Sequence, residues 1–143
     1  MIGFFVAIIS GALMSIQGVF NTQVTKSSGV WAAAAFVQFT ALLVCVGAWS
    51  LMEKGSLMQV FRVEHKYMLL GGVIGAFITY TVVQSMSSLG PAKAAMLIVI
   101  SQLIVAYLIE VFGMFGVEKT GFSLRKVLGM GIAIIGIIIF KWK

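Results

Sequence analysis

The sequence predicts an all-α integral membrane protein with five transmembrane helices, and three observations carry that prediction. The 143 residues are 61% hydrophobic and 10% charged, against about 45–50% and 25% in a soluble domain. Their mean hydropathy is +1.11. The apolar residues fall in five runs separated by short polar breaks. At about 20 residues per span, five spans use roughly 100 residues. The remainder suffices for turns and ends but not for a separate catalytic domain.

Taken in order, the expected helices cover approximately 2–24, 30–52, 67–87, 92–115 and 124–141, within one transmembrane domain over 1–143. The first run ends at Lys26-Ser27-Ser28-Gly29. It lacks a basic n-region and a small-residue cleavage site, so it reads as a retained helix rather than a signal peptide. The second run closes before the longest polar stretch, Glu53 to Lys66. The third ends at Ser87-Ser88-Leu89-Gly90-Pro91, where proline suits the first turn of a new helix because its missing N–H is not needed. The fourth run leads to a polar turn, Val117 to Lys126, containing Gly121. The fifth is short, with Ser123 as its expected N-cap. Its end, Lys141-Trp142-Lys143, is a basic and aromatic group suited to the headgroup region.

Charge supports the membrane reading and leaves orientation nearly balanced. The net charge is +6, and most basic residues flank the apolar runs, so this is membrane-flanking charge rather than a nucleic-acid patch. An odd number of spans places the termini on opposite sides. Lys54, Arg62, Lys66, Lys119, Arg125 and Lys126 then share the N-terminal side, six in all; Lys26, Lys93, Lys141 and Lys143, four in all, share the other. That difference weakly favours an internal N-terminus, and it equally suits a chain that inserts both ways.

Several chemistries are excluded at the outset. The chain has no aspartate, four glutamates and one histidine. Nothing forms a nucleophile–base pair or a metal-binding set, so neither an enzyme nor a bound cofactor is expected. The single cysteine, Cys45, has no partner for an internal disulfide. His65 sits between Glu64 and Lys66 and reads as a solvated loop residue.

The informative residues are the polar ones inside the apolar runs, because a polar group in hydrocarbon needs a partner or a cavity. Ser10, Met14, Gln17 and Asn21 fall on one stripe of the first helix. Gln38 lies near the middle of the second, seven residues after Trp31. The third carries Thr79, Tyr80, Thr81, Gln84 and Ser85. The fourth carries Ser101, Gln102, Tyr107 and Glu110. Four helices thus each offer an amide, which both donates and accepts. The plainer reading makes these amides interhelical glue, a modest contribution of about 0.6 kcal/mol each. Together, with aromatics alongside, they point to a polar cavity for an uncharged, zwitterionic or weakly charged polar solute. Gln17, Asn21, Gln38, Gln84 and Gln102 would line it. Tyr80 or Trp31 would form its apolar walls, although Trp31 equally suits an interfacial anchor. Glu110 is the one acid inside a run, about five residues or roughly 7–8 Å of rise before its end. It is a coupling candidate; the plainer reading has it reaching water or a basic loop residue.

Small residues form a second pattern. Gly71 and Gly75 make a GxxxG, and Gly129, Ala133 and Gly136 make a stripe on the fifth helix, both suited to close helix packing. Ala32 to Ala35 also reads as a packing surface.

The chain resembles the drug/metabolite transporter superfamily, and within it the short five-helix branch called the YdcZ-like family. The resemblance rests on Gly11-Ala12-Leu13-Met14-Ser15-Ile16-Gln17-Gly18-Val19-Phe20-Asn21 in the first helix. It rests also on Leu89-Gly90-Pro91-Ala92-Lys93-Ala94-Ala95, Ser101-Gln102 and the stretch from Glu110 to Glu118. The last helix, from Leu128 to Ile137, is similar to the dimerising helix of the small multidrug resistance transporters. The resemblance implies a multi-pass transporter of the bacterial plasma (inner) membrane for small metabolites or drugs. It implies a half-transporter that assembles as an antiparallel (inverted) dimer, with the Gly129, Ala133 and Gly136 stripe at the contact. The small multidrug resistance relatives carry a glutamate in the first helix; here that helix offers Gln17 and no acid. The partners expected are the lipid bilayer, a small-molecule substrate, and a second copy of the chain or an oppositely oriented paralogue. The expected function is alternating-access transport, most simply export, by a dual-topology homodimer. The competing readings are a non-transporting subunit packed on a partner protein, half of a heterodimer, and a passive pore.

Overall fold

The computed structural model describes residues 2–53 and 55–141. Lys54 of the polar loop and Trp142 and Lys143 of the basic end lie outside the described residues. Among the described residues the secondary structure is entirely helical. The five α-helices are α1 (Ile2–Ser28), α2 (Val30–Met52), α3 (Gly71–Leu89), α4 (Pro91–Phe112) and α5 (Leu124–Lys141). Short 3₁₀ helices occupy Leu57–Arg62, Lys66–Leu70 and Met114–Gly116. Four segments are long and apolar enough to cross a membrane: Ile2–Ser28, Val30–Met52, Lys66–Leu89 and Pro91–Phe112.

Several helix ends differ from expectation: α3 begins at Gly71 rather than 67, after the 3₁₀ turn Lys66–Leu70, and runs to Leu89 rather than 87. The first helix runs past 24 to Ser28, because the polar residues there satisfy themselves on its last turn. Ser28 Oγ donates to the Val24 carbonyl at 3.0 Å, and Thr25 Oγ1 donates to that of Asn21 at 2.8 Å. The fourth stops at Phe112 rather than 115. Gly113 takes the left-handed conformation, φ 66° and ψ 41°, and its N–H caps the Ile109 carbonyl; this is the usual glycine stop.

The helix-to-helix turns at Gly29 and Gly90 are each one residue long. Gly29 (φ 80°, ψ 159°) and Gly90 (φ 81°, ψ 157°) occupy a region that only glycine enters readily. Each gives its carbonyl to the amide of the fourth residue of the next helix, Ala33 N at 3.1 Å and Ala94 N at 3.1 Å. Pro91 begins α4, as expected for a residue with no N–H to place. Ser123 immediately precedes α5, and its carbonyl accepts from Val127 N at 3.2 Å. It therefore occupies the N-cap position through its backbone.

The chain divides into two compact units, 1–88 and 89–143. In the first, α1 packs on α2. Ala33 and Ala34 are buried, while Ala32 and Ala35 of the same run are exposed. At Gly18 on α1, a side-chain Cβ would stand 2.5 Å from Met86 Cε and 2.7 Å from Met86 Sδ. The methionine of α3 therefore rests on the bare glycine. In the second unit α4 packs on α5, with Ile100, Leu103 and Ile104 facing Met130, Ala133 and Ile134 across a narrow apolar gap. Large apolar side chains elsewhere point outward: Phe4 is 68% exposed, Val44 72% and Ile132 71%. In a water-soluble domain such side chains would be buried; here they are the surface that lipid covers.

Candidate functional site

The hydroxyls and the amides of the spans behave differently. Thr22, Thr79 and Ser101 each donate back to a carbonyl of their own helix, at 2.8 Å to Gly18, 3.0 Å to Gly75 and 3.0 Å to Leu97. Such back-bonding satisfies the hydroxyl locally and leaves it little capacity for a ligand. The side chains of Gln17, Gln38 and Gln102 make no such bond among the described residues. An amide is too long to fold neatly onto its own helix carbonyls, so its hydrogen-bonding capacity is left to another helix or a solute.

The first unit brings several of the expected residues together. Trp31, the second residue of α2, stacks on Tyr80 of α3 with ring centroids 4.8 Å apart and planes 18° apart. Phe77, one turn before Tyr80, meets the same indole edge-on at 6.4 Å and 86°. Gln84, one turn after Tyr80, donates from Nε2 to the tyrosine hydroxyl at 3.4 Å. Residues 77, 80 and 84 share one face because they are three and four apart. Trp31 remains 58% exposed, so the stack does not seal it. Deeper along the pair, Gln38 of α2 lies against Gly75 of α3: a Cβ there would stand 3.4 Å from Gln38 Nε2. The long side chains of Trp31 and Gln38 thus bridge α2 and α3, and the glycine leaves room for the amide. Asn21 is the one polar side chain buried among the described residues, at 7% exposure. Gln17, one turn earlier on α1, is exposed. Gln102 belongs to the second unit, exposed on α4.

Glu110 has a definite partner. Lys126 Nζ of α5 donates to its Oε2 at 2.6 Å, and both side chains are substantially exposed, 49% and 42%. Because α4 ends at Phe112, Glu110 sits in the last turn of the helix, nearer the end than the five residues expected. Beside it the Tyr107 hydroxyl accepts from Ser123 N at 2.9 Å and lies 3.3 Å from the Ser123 carbonyl, to which it donates. Thr120 N donates to the Glu110 carbonyl at 2.9 Å, and Lys126 Nζ stands 5.8 Å from the Tyr107 ring centre. These contacts clasp the α4–α5 hairpin. Sequence reasoning missed the link from Tyr107 to Ser123, since no pattern marks a tyrosine bonded to backbone sixteen residues away. It missed Phe77 as well, although the i, i+3 spacing to Tyr80 was a usable signal.

On α5, Gly129 and Gly136 are exposed and a Cβ at either would meet nothing within 4 Å. Ala133 turns partly toward α4 and lines the apolar gap there. The stripe is therefore divided: its glycines are open and its alanine is used within the chain.

Residues 2–139 match the model of the family described as "Putative inner membrane exporter, YdcZ". The chain belongs to the YdcZ-like exporter family. The match covers nearly the whole chain, so the spans described above are those of a multi-pass inner membrane protein, and a transporter in general terms. The YdcZ-like family is an exporter class, not an enzyme class. Comparisons with curated proteins and with solved structures gave no match.

Proposed function

We propose that this YdcZ-like chain is a five-span half-transporter of drug/metabolite-transporter type. In this reading it works as a dual-topology antiparallel homodimer and exports a small polar solute by alternating access. The observation that carries it is the cluster of Trp31, Tyr80 and Gln84: an open indole stacked on a phenol whose hydroxyl holds an amide. Aromatic faces with a donor–acceptor amide beside them suit a solute that is flat or partly apolar and carries no full charge. Gln38 on Gly75 and Asn21 extend the same polar character along the first unit. α5 is the fifth span in this reading, with Arg125 and Lys126 at one end and Lys141 at the other.

A second copy supplies what one chain leaves open. Gln17 and Gln102 are exposed and have no partner among the described residues, and an unpaired amide against lipid is costly. Gly129 and Gly136 offer an open, small-residue face of the kind that packs helices in lipid. An inverted pair would carry the two-fold symmetry that many transporters build from internal repeats.

Sidedness tests this directly. With Cys45 replaced and a single cysteine added after Lys143, an impermeant thiol reagent labels about half of the molecules in intact cells if the chain inserts both ways. Labelling of all or none overturns dual topology and redirects the search to an oppositely oriented paralogue or a partner protein. Gln17→Ala and Gln102→Ala test the site; if both leave solute binding and transport in liposomes unchanged, the site assignment fails.

A further inference from the structure

The Trp31 indole is covered on one side only. Tyr80 lies nearly parallel to it, 18° between planes and 4.8 Å between centroids, and so occupies one of its two faces. Phe77 meets it edge-on, at 86° and 6.4 Å. Trp31 is nevertheless 58% exposed. A flat side chain with one face covered keeps that much surface only if its other face is open. The two-ring stack therefore ends in a bare indole face with room for a third ring.

The electronics of that face select among rings. An aromatic face is negative and its edge positive, so two electron-rich rings avoid full face-to-face overlap. Indole has the most negative face of the aromatic side chains. A ring whose carbonyls and nitrogens draw electrons from its own face escapes that repulsion and lies flat on the indole. A cation would also be drawn to the face, but the helices of this unit hold no carboxylate to neutralise it. α1, α2 and α3 contain no acid. Glu53 follows the last residue of α2, while Trp31 is its second, about 33 Å of helix rise away. Along the chain the charge nearest Trp31 is that of Lys26, which is positive.

The rim of the stack adds hydrogen bonding. The Tyr80 hydroxyl accepts from Gln84 Nε2 at 3.4 Å, and no group among the described residues takes its own hydrogen. Gln84 keeps its second N–H and its carbonyl. Two donors and an acceptor thus stand beside the stacked rings, suited to a solute with ring carbonyls and N–H groups. We propose that the solute is a neutral, electron-poor planar heterocycle bearing ring carbonyls, of the pyrimidinedione or fused-pyrimidinedione class, stacked on the open face of Trp31. This rests on the reading of the Trp31, Tyr80 and Gln84 cluster as the solute site.

Fluorescence in nanodiscs tests this, with Trp31 left as the sole tryptophan by Trp49→Phe and Trp142→Phe. The probe is lumazine, a fluorescent fused pyrimidinedione that is neutral at mildly acidic pH and is quenched when stacked on indole. Saturable quenching is expected, with binding confirmed by equilibrium dialysis. Quinazoline-2,4-dione should displace the probe. Indole, an electron-rich ring of similar size, should compete about two- to tenfold more weakly, the difference that one aromatic stack supplies. N-methylquinolinium, a planar cation, should also compete less well than the dione. By dialysis, Trp31→Leu should weaken lumazine binding by the same two- to tenfold, and Trp31→Phe by less. Tyr80→Phe, which keeps the stack, should retain the quenching. Equal competition by indole overturns the proposal, as does unchanged binding in Trp31→Leu, and preference for the quinolinium assigns the face to a cation instead. Acrylamide and brominated lipid separate this inference from the site reading beneath it. Acrylamide is expected to quench Trp31; if it does while lumazine binds no better than indole, the solute class alone is wrong. Quenching by brominated lipid only would make the open face a lipid contact, and the site reading falls with the class.

Discussion

Gly29 and Gly90 adopt the same backbone conformation, within two degrees in both angles, and each joins two long helices by a single residue. With φ near +80° and ψ near +158°, both lie where a Cβ clashes with its own backbone. Replacing either by alanine is expected to cost about 1–3 kcal/mol. Space is not the cause, since a Cβ at either position meets nothing within 4 Å. Thermal unfolding in detergent checks this. A Gly29→Ala or Gly90→Ala protein that melts with the wild type contradicts the conformational assignment.

Gly18 and Met86 make the opposite case, a glycine needed for space. A Cβ at Gly18 would overlap the Met86 thioether, and Met86 is only 5% exposed. Gly18→Ala should destabilise the first unit, by less than a rigid clash would because a methionine terminus can turn aside. Met86→Ala should relieve that overlap. A double-mutant cycle is therefore expected to show coupling of about 0.5–3 kcal/mol. Strict additivity of the two changes would mean that the side chains do not meet.

The Glu110–Lys126 pair is a surface clasp, and its loss should be mild. With both side chains nearly half exposed, the pair contributes about 0.2–1 kcal/mol. Glu110→Gln and Lys126→Gln should each lower stability slightly and leave the pH profile of transport unchanged. A flattened profile in Glu110→Gln would instead make this carboxylate the coupling group. Tyr107→Phe should cost more, about 0.5–1.5 kcal/mol for each hydrogen bond to Ser123.

Trp31→Ala removes the exposed face of the aromatic cluster. If solute rests there, its affinity should fall about two- to tenfold, the worth of one aromatic contact. Tyr80→Phe keeps the stack and removes only the hydroxyl that Gln84 reaches, so its effect should be smaller. Transport rates in liposomes across a solute series give both numbers. Equal, unchanged affinities in the two variants would return Trp31 to an interfacial anchor.

The sequence alone determined the class of this protein. Composition and the length of the apolar runs are local properties that the bilayer reads directly, so 61% hydrophobic residues and five runs suffice for an all-helical membrane chain. Motifs spread along the chain carried the YdcZ-like family. Local chemistry also gave Pro91 at a helix start and Ser123 just before α5. The tertiary structure decided which polar residues meet. Nothing in a 3.6-residue period says that Trp31 stacks on Tyr80, that Gln38 finds the bare backbone at Gly75, or that Lys126 reaches Glu110. Those pairings depend on how helices pack, and packing in lipid is set by fit between surfaces distant in sequence. No hydrophobic gradient between helix faces exists there to mark them in advance.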